Sequence, residues 1–549
     1  MSEQSCMKGI FGHFVVFFFL SFCASAATRY VDLNNPTPAA PYTSWSSAAQ
    51  NIQDAIDAAS AGDTVLVAIG VYQTGGRVVY GALTNRIAVD KAVTVISVAG
   101  ATQTFIQGNP ALNDSGVRCA YLTNNASLVG FTLVNGATRA GGDITLEGSG
   151  GGVWCESSNA LVSNCVLVGN MSFGGGGGAY GGTIIGCTLS NNSSAYGHGG
   201  GAASCTLSNC TISSNCVSSY YNGGGVAYST LNNCVILANL ANRGGGGAMS
   251  CTLNSCVVAG NTGAWGGGTT ICTLNNCIVT GNSAINTSGD SYAEALGGGT
   301  WSGTANNCTI VSNRVVRPVG THTAGLGRGS YATTLNNCIV YYNTGPSAAL
   351  NCDSGSANTC CTTPLPASGS GNFTAPPLFV AGTSRLQSSS PCINSGNNNF
   401  APAGADFDGN PRIAGATVDV GAYEFQSPTS VISYGWLQQY GLPTTGSADY
   451  ADPDGDGMNN WQEWRCDTNP TNAASVLSLT LSSAGPSAPT ISWPSSTARS
   501  YFLERATDLS AQPAFQILAT NIAGLAGTTT FTDTNITGLG PYFYRVAPQ

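Results

Sequence analysis

The middle of the chain alternates short apolar segments with polar turns in a repeating pattern. Cys is followed five positions later by Asn in eight successive units, and an aliphatic residue stands two positions after each Cys. Residues i and i+2 of a strand share one face, so we expect the thiol and the aliphatic side chain of each unit to enter a common core. The eight pairs are Cys165/Asn170, Cys187/Asn192, Cys210/Asn215, Cys234/Asn239, Cys256/Asn261, Cys277/Asn282, Cys308/Asn313 and Cys338/Asn343.

The spacing between units indicates the coils of a stacked solenoid. Successive Cys positions lie 21 to 24 residues apart through the first six units and about 30 apart in the last two steps. That length fits a coil of three short strands and three turns, with coils stacked at about 4.8 Å. Strands such as Thr206-Leu207 precede the Cys, pairs such as Asn232-Asn233 suit a left-handed bend, and glycine clusters stand upstream. We therefore predict an all-β parallel β-helix whose Asn amides are hydrogen-bonded from coil to coil.

The chain contains 21 cysteines, but the regularly spaced ones are poorly placed for disulfides. Thiols stacked on neighbouring coils have parallel Cα–Cβ vectors, and this geometry does not favour an S–S bond. We therefore predict buried free thiols along the ladder. The irregularly spaced cysteines are better disulfide candidates, and the sequence leaves their pairing open: Cys352, Cys360, Cys361, Cys392 and Cys466.

The start of the chain differs from the repeats. Residues 1–26 have the form of a secretory signal peptide, with Lys8 before an apolar run over 11–22 and a small-residue cleavage site at 24–26. The run is shorter than the roughly 20 residues that a membrane span needs, so we expect an extracellular protein, secreted or held at the cell surface. Apolar residues at helical spacing over 48–59 predict a helix that caps the first coil.

Charge narrows the choice of partners. Only 8% of the residues are charged, and the formal net charge is −9. Nucleic acids and anionic membranes bind clustered Lys and Arg, so the composition argues against both. Polysaccharides or surface proteins remain as partners, and we expect the protein to be a monomer.

Residues 452–463 read Asp-Pro-Asp-Gly-Asp-Gly-Met-Asn-Asn-Trp-Gln-Glu, which matches an EF-hand calcium loop at each ligand position. Gly457 would make the sharp turn, and residues 436–440 and 461–465 are expected to form short flanking helices. We expect calcium to stiffen a linker rather than to catalyse, with an acidic turn without metal as the alternative. The predicted ligands are three carboxylates, a main-chain carbonyl, a water-mediated contact and a bidentate carboxylate: Asp452, Asp454, Asp456, Met458, Asn460 and Glu463.

These features resemble known families. The glycine-rich units with Cys-x-aliphatic-x-x-Asn are similar to the repeats of polymorphic outer-membrane protein adhesins, and the series resembles the pectin-lyase-like right-handed β-helices. The stretches 390–396, 406–412 and 419–424 resemble the choice-of-anchor Q domain of bacterial surface proteins. The calcium loop resembles those of dockerin-like and thrombospondin-3-like linkers. The anchor resemblance implies that one acidic and basic cluster closes the last coil and is mainly structural: Asp406, Asp408, Arg412 and Asp419.

The end of the chain predicts a separate unit. Alternating segments from residue 475 onward, spaced by turns, indicate a small β-sandwich that resembles fibronectin-III or Ig-like modules. We expect Trp493 and Tyr501 to lie in its core, with sugar stacking as the alternative. The predicted organisation is a signal peptide, a right-handed β-helix with three strands per coil, a calcium-loop linker and a sandwich, over residues 1–26, 27–426, 427–474 and 475–549.

Ionisable residues are scarce in the regular coils and gather where two coils lengthen. β-Helix lyases and glycosidases need an acid and a base on one sheet, whereas charged loops are also common for solubility alone. We favour a secreted or cell-surface protein that binds glycans or surface partners, with a polysaccharide lyase or glycoside hydrolase as the alternative. Neighbouring coils would bring the candidate residues of a glycan site together at one rim: Asp290, Glu294, Arg314, Arg317, His322 and Arg328.

Overall fold

The computed structural model describes most of the chain after the predicted signal peptide, of which only Ala26 is included. The first strand begins at Thr28, and the coils continue to Thr362 as a right-handed parallel β-helix, which confirms the predicted fold class. Within the described part of the chain, no helix is long and apolar enough to cross a membrane. The described residues are 26–218, 220–285, 294–316, 326–346, 350–483, 489–497, 499–511, 514–536 and 540–549.

The regular coils supply strands to three parallel sheets, as the predicted three-strand coil requires, but the strand of sheet 1 is divided. It bends into two limbs at a residue with positive φ, such as Tyr228 (52°) or Ile271 (54°). A second left-handed residue, such as Asn233 (52°), separates sheet 1 from sheet 2 and occupies the predicted Asn turn. Polar residues adopt this region more readily than most.

The strand bounds are as follows. The first limb of sheet 1 comprises Arg77–Val78, Thr84–Val89, Val117–Leu122, Val153–Cys155, Ala179–Tyr180, Ala202–Ala203, Val226–Ala227, Ala248–Met249, Ser330–Tyr331 and Cys352–Asp353. The second limb comprises Thr28–Val31, Thr64–Val67, Thr94–Ser97, Ser127–Val129, Leu161–Ser163, Thr183–Ile185, Thr206–Ser208, Thr230–Asn232, Thr252–Asn254, Thr334–Asn336 and Ser356–Asn358, and two strands run through both limbs, Thr269–Asn275 and Thr300–Asn306. Sheet 2 comprises Gly70–Tyr72, Thr104–Gln107, Thr132–Val134, Val166–Val168, Thr188–Ser190, Thr211–Ser213, Val235–Leu237, Val257–Ala259, Ile278–Thr280, Thr309–Val311, Ile339–Tyr341 and Cys361–Thr362. Sheet 3 comprises Met171–Ser172, Ser193–Ser194, Cys216–Val217, Leu240–Ala241, Thr262–Gly263, Ser283–Ile285 and Arg314–Val316.

Ladders of equivalent side chains fill the interior. In one coil Leu231, Cys234 and Ile236 are all buried, and their counterparts in the other coils form one continuous core with them. The thiols of the eight repeat cysteines are buried and free, as predicted. Because the residues inside a solenoid meet only their own equivalents above and below, a single Cys-x-aliphatic pattern is enough to build the core.

The disulfide expectation was wrong. All five irregular cysteines are free thiols in the structure, and they are Cys352, Cys360, Cys361, Cys392 and Cys466. Cys360 extends the thiol ladder by one coil, because its sulfur accepts the N–H of Cys338 at 3.3 Å.

The glycine clusters lie against a ladder of buried Asn side chains. An added Cβ at Gly225 would come within 2.6 Å of the Gly247 carbonyl oxygen and 2.9 Å of the Asn239 amide carbon. No larger side chain fits beneath that amide, which explains why each unit repeats glycine at this corner.

The first coil is closed as predicted. Helix α1, Ile52–Asp57, buries Ile52, Ala55 and Ile56 in the main core beside the first strand. A short 3-10 helix, Trp45–Ser47, precedes α1. The helix therefore covers sheet edges that would otherwise be open to pairing with other chains.

The chain after the last coil folds back along the outside of sheet 2. Ile393 and Val420 pack on Ile339 of sheet 2, and this cap segment spans residues 373–426 with one 3-10 helix, Asn398–Phe400. The Asn276 amide donates to the Ala405 carbonyl at 2.9 Å, across 129 residues. The expectation that this segment closes the last coil was therefore wrong, since it reaches back to the coil of Asn276.

Residues beyond the cap form two smaller parts. Helices α2, Tyr434–Gln439, and α3, Asn460–Cys466, flank the predicted calcium loop. Trp493 and Tyr501 lie in the core between the terminal sheets, with 1% and 0% of their surfaces exposed, so they are not available for sugar stacking. The two antiparallel sheets comprise Thr480–Ser483, Pro489–Ser495 and Gly527–Thr532, and Ser500–Ala506, Gln516–Ala523 and Phe543–Pro548.

Candidate functional site

The structure describes only half of the residues of the predicted charged rim. Asp290, Arg317 and His322 lie outside the described residues, whereas Glu294 and Arg328 lie in loops and Arg314 begins the last strand of sheet 3. The carbonyl oxygens of Arg314 and Arg328 both approach Gly298, so these two residues do meet at one corner.

Both described arginines bind neighbouring protein groups. The Arg314 guanidinium donates to the Ser283 hydroxyl at 2.7 Å, one coil away. The Arg328 guanidinium donates to the Pro346 carbonyl at 2.9 Å. These contacts tie successive coils together, and they give each arginine a structural role at the rim.

A strip of aromatic side chains runs along the first limb of sheet 1, and sequence reasoning did not find it. The column in register reads aromatic at both ends and non-aromatic in the middle, where Ala203, Ala227, Met249 and Thr270 stand. Five aromatic residues occupy the ends of the column, namely Tyr121, Trp154, Tyr180, Trp301 and Tyr331. A detectable pattern existed, because from Tyr180 onward each column residue is the second residue after a glycine cluster.

The ends of the strip are built by ring stacking. Tyr121 and Trp154 stack with ring centroids 5.6 Å apart. At the other end Trp265 stacks on Trp301 at 5.7 Å, and the Arg243 guanidinium lies 4.9 Å from the Trp265 ring. Stacking buries the rings of Tyr121 and Trp154, which are 3% and 6% exposed, whereas Trp265 and Trp301 remain partly exposed.

Further rings flank the non-aromatic residues in the middle. His198 contacts Tyr221 at 5.4 Å and Tyr228 at 5.5 Å between centroids, and Tyr196 joins Tyr221 at 6.5 Å. Tyr196 and Tyr228 are 57% and 51% exposed. We use the name aromatic strip for the set Tyr121, Trp154, Tyr180, Tyr196, His198, Tyr221, Tyr228, Trp265, Trp301 and Tyr331.

Two titratable groups on this strip are occupied by local hydrogen bonds. Glu156 accepts hydrogen bonds from the hydroxyls of Thr123, Tyr121 (3.1 Å) and Tyr80 (3.3 Å), and the Thr123 bond contributes most to lowering the pKa of Glu156. Burial lowers the pKa of His198, whose Nδ1 accepts the Asn222 N–H at 3.1 Å. Glu156 is therefore ionised and His198 neutral near pH 7, which is a poor arrangement for acid catalysis.

The predicted calcium ligands come together in one loop. Carboxylate oxygens of Asp452, Asp454 and Asp456 lie within 4.8 Å of one another. The Asp452 carboxylate accepts the N–H groups of Gly455 (2.8 Å) and Gly457 (3.1 Å). Backbone groups of the loop therefore fix the orientation of this carboxylate. The Met458 N–H bonds to Asp456 at 2.7 Å; the direction of the Met458 carbonyl stays a prediction.

The same loop holds oxygens that fit a cation. Buried oxygens of Asp454, Asp456, Asn460 and Glu463 have no hydrogen-bond partner. Glu463 is fully buried, and burial, followed by the charges of Asp454 and Asp456, raises its pKa to about 7. Three carboxylates and one amide with unfilled oxygen lone pairs are a donor set that hard divalent cations prefer, so the residues fit calcium.

The cap cluster has the structural character that was predicted. Arg412 is buried and donates to the carbonyls of Ala422 (2.9 Å) and Asp419 (3.2 Å) and to Glu424 at 3.3 Å. Asp406 and Asp419 are buried and accept backbone N–H groups of the same segment. Asp408 pairs with Arg385 at 2.7 Å nearer the surface.

Two grooves flank the cap. The first, of about 550 Å³, includes Tyr342, Phe379, Arg385 and Tyr423 among its lining residues. The second, of about 460 Å³, runs between the loop over 402–409 and a row of Asn side chains. Tyr423 lines the first groove and Phe407 the second, and the centroids of their rings lie 5.4 Å apart.

Several solved structures are similar to this chain. A pectate lyase, Pel9A, is 14% identical with a TM-score of 0.38, over 73% of this chain and 97% of that one. A rhamnogalacturonan lyase is 13% identical with a TM-score of 0.33, over 63% and 87%. An alginate lyase from Paenibacillus sp. str. FPU-7 is 12% identical with a TM-score of 0.28, over 56% and 95%. At such identities and TM-scores these similarities carry no argument about activity. No protein-family model matches the chain, and no curated protein does.

Proposed function

We propose that this protein is a secreted or cell-surface glycan-binding protein that takes polysaccharide along the aromatic strip. The observation that supports the proposal is the set of rings in the strip that reach the surface: Tyr196 and Tyr228 are exposed, and Tyr180, Tyr221, Trp265, Trp301 and Tyr331 are partly exposed. Monomeric proteins rarely leave such rings at the surface without a partner.

Ring stacking suits sugars better than most other ligands. The face of an aromatic ring carries partial negative charge, and the axial C–H groups of a pyranose are weakly positive. Tyr196 and Tyr228 are 57% and 51% exposed, so we expect each to stack on a sugar and bind a sugar hydroxyl. The alanines between the rings, Ala203 and Ala227, are buried, so we expect the contact surface to be the exposed rings of Tyr196 and Tyr228 rather than the sheet itself.

Binding is favoured over catalysis by the state of the local charges. Glu156 has its lone pairs engaged by three hydroxyls, and His198 accepts a backbone N–H. A general acid needs a raised pKa and a free proton, and a general base needs a free lone pair. Neither residue meets its condition, which supports a binding surface.

The proposal includes calcium at residues 452–463 as a structural ion. Asp452, Asp454, Asp456 and Glu463 would supply carboxylates, and bound calcium would neutralise their mutual repulsion. The loop leads directly into α3, where the Trp464 carbonyl accepts the Arg499 guanidinium at 2.6 Å. Calcium would thereby order the connection to the terminal sheets.

The test is a polysaccharide array probed with the mature protein, reading bound protein and released ends. The double variant Tyr196→Ala and Tyr228→Ala should bind about tenfold more weakly, since stacked aromatic residues are frequent hot spots. Tyr450→Ala removes an equally exposed tyrosine, 69% exposed, far from the strip in sequence and should bind normally.

Two outcomes would overturn the proposal. One is unchanged binding by the double variant. The other is release of unsaturated or reducing ends by the wild type that is lost in Arg314→Ala, which would make the protein a lyase or hydrolase acting at the rim.

A further inference from the structure

The second limb of sheet 1 presents a regular uncharged array to the outside. Its strands repeat Thr-Leu-Asn, and the middle residue is buried while Thr and Asn stand on the outer face, as at Thr230, Leu231 and Asn232. One column holds Thr183, Thr206, Thr230, Thr252, Thr273, Thr304 and Thr334, in register across seven coils. The parallel column holds Asn232, Asn254, Asn275, Asn306, Asn336 and Asn358. We call these two columns the Thr/Asn array.

The amides of the array are locked in one orientation. Each Nδ2 donates to the Oδ1 of a neighbouring coil at 2.9 Å, through all five steps of the column. An Asn amide has two donors and two acceptor lone pairs, so every ladder bond leaves capacity for another partner. Five of the six Asn side chains are partly exposed, and Asn336 keeps 8% of its surface.

The hydroxyls of the array are also available. Thr230 and Thr273 are exposed and Thr252 is partly exposed. Among the described residues, none of these three hydroxyls makes a hydrogen bond to the protein, unlike Thr183, which donates to the Ser158 carbonyl. The Thr column with its free hydroxyls therefore lies beside the Asn column, whose amides have unused hydrogen-bonding capacity. The two columns are two strand residues apart, which corresponds to about 6.7 Å.

Raised features border the array on both sides. The cap loop over 402–409, with Phe407, forms one wall of the 460 Å³ groove whose floor includes Asn254 and Asn275. On the other side Tyr228 and Ile271 project at the bend of sheet 1, with 51% and 52% of their surfaces exposed. Around Asn254 and Asn275 the array is thus bordered by the cap loop on one side and by exposed side chains on the other.

We propose that the Thr/Asn array binds one extended, uncharged polysaccharide chain aligned with the helix axis. Its groups repeat at the coil spacing of about 4.8 Å, close to the rise of an extended pyranose chain, and hydroxyl-rich sugars match both donors and acceptors. The array contains no cation that could hold uronates, and the net charge of −9 repels them. This inference rests on the proposed glycan-binding function and names the ligand class.

The test compares matched double variants on neutral polymers (xylan, mannan, β-glucan) and acidic ones (polygalacturonate, alginate). Thr230→Val with Thr252→Val removes two hydroxyls, keeps β-branched side chains suited to strands, and should weaken neutral-polymer binding about tenfold. The control is Thr188→Val with Thr211→Val, two outward threonines of sheet 2, which should bind as wild type.

The outcomes distinguish failure of the Thr/Asn array proposal from failure of the proposed glycan-binding function. Wild-type affinity in the Thr230/Thr252 variant, or preference for acidic polymers, would overturn the inference. If the Tyr196/Tyr228 variant still loses binding in that case, the glycan-binding function stands without the array. Absence of binding by the wild type to every polymer would overturn both.

Discussion

The β-helix carries two asparagine ladders. Both are linked from coil to coil by amide–amide hydrogen bonds, but they differ in burial and in their other hydrogen-bond partners. The inner ladder runs from Asn170 to Asn343 and is at most 5% exposed, whereas the outer ladder is the Asn column of the Thr/Asn array. In both, Nδ2 donates to Oδ1 of a neighbouring amide at 2.9 to 3.0 Å, toward the following coil in the inner ladder and toward the preceding coil in the outer one.

The inner amides have no capacity left. Asn215 donates to the Leu189 carbonyl and to Asn239, while its Oδ1 accepts both the backbone and the side-chain N–H of Asn192. The outer amide of Asn254 makes only its two ladder bonds. A repeated residue alone therefore does not reveal its role. Amides whose donors and acceptors are all bonded within the protein stabilise the fold, whereas surface amides with unused donors and acceptors can bind a ligand.

The largest expected effect is on the inner ladder. Asn239→Ala would remove the acceptor of the Asn215 backbone and side-chain N–H groups and the side-chain donor to the Ile212 carbonyl and the Asn261 amide oxygen in a buried site, while the backbone N–H of residue 239 still reaches Asn261. Unmade buried hydrogen bonds cost about 1–3 kcal/mol each, so we expect the free energy of unfolding to fall by about 4 kcal/mol. Urea unfolding followed by circular dichroism measures it, and a loss below about 1 kcal/mol would contradict the role of a filled ladder.

In the cap cluster the polar groups are hydrogen-bonded, but the negative and positive charges are not equal in number. Asp406, Asp419 and Glu424 surround one guanidinium, Arg412, and burial raises the pKa of Glu424 to about 7 and that of Asp419 well above its usual range. A carboxyl with a raised folded pKa stabilises below its ordinary pKa of 4.5 and loses that stabilisation as pH rises through about 7.

Stability should therefore fall between pH 5 and pH 8, by up to about 3 kcal/mol for the Glu424 shift. Thermal unfolding at both pH values measures the change. Glu424→Gln should reduce the dependence, because its amide does not titrate, whereas Asp419 and, without calcium, Glu463 keep their own raised pKa. A wild-type stability that rises with pH over this window would show that Glu424 ionises freely in the folded protein.

The calcium loop extends the comparison to buried oxygens that are unfilled. Carboxylate oxygens of Asp454, Asp456 and Glu463 have no hydrogen-bond partner, and we expect them to bind calcium. Calcium at a hundredfold excess over its Kd should then raise the free energy of unfolding by about 2.7 kcal/mol. Calorimetry with and without calcium measures this. Glu463→Gln should lose the effect, and Asp508→Asn, an exposed acid of the terminal unit, should keep it. Equal melting of the wild type in calcium and in chelator would reject the site.

Sequence reasoning reached the helix because an inward residue recurs once per coil. Cys234 and Asn239 stack on their equivalents in the neighbouring coils, so the spacing along the sequence was enough to predict where they lie. The cap was misplaced because its contacts join residues far apart in the chain, such as Arg412 and Asn276, and no local pattern encodes such a distance.

The candidate site was found in part for the same reason. The calcium residues lie within twelve consecutive positions, so their grouping is local and the sequence contains it. The aromatic strip combines residues from columns, such as Trp301, with residues from loops, such as Tyr196, which meet only after coiling. The outer amides were predicted as turn residues, because the sequence does not show which side chain of Asn232-Asn233 faces its neighbours.

The smallest expected effect is the one that sharpens the comparison most. Asn254→Ala removes two ladder bonds from a partly exposed amide, and water can solvate the neighbours Asn232 and Asn275. A replaced surface hydrogen bond contributes about 0.5–1.5 kcal/mol, so we expect a loss near 1 kcal/mol, far less than for Asn239→Ala. Neutral-polysaccharide binding should nevertheless drop, because the array loses an oriented donor and acceptor. If Asn254→Ala instead unfolds the protein as strongly as Asn239→Ala and leaves binding intact, the outer ladder is structural and the two ladders are one device.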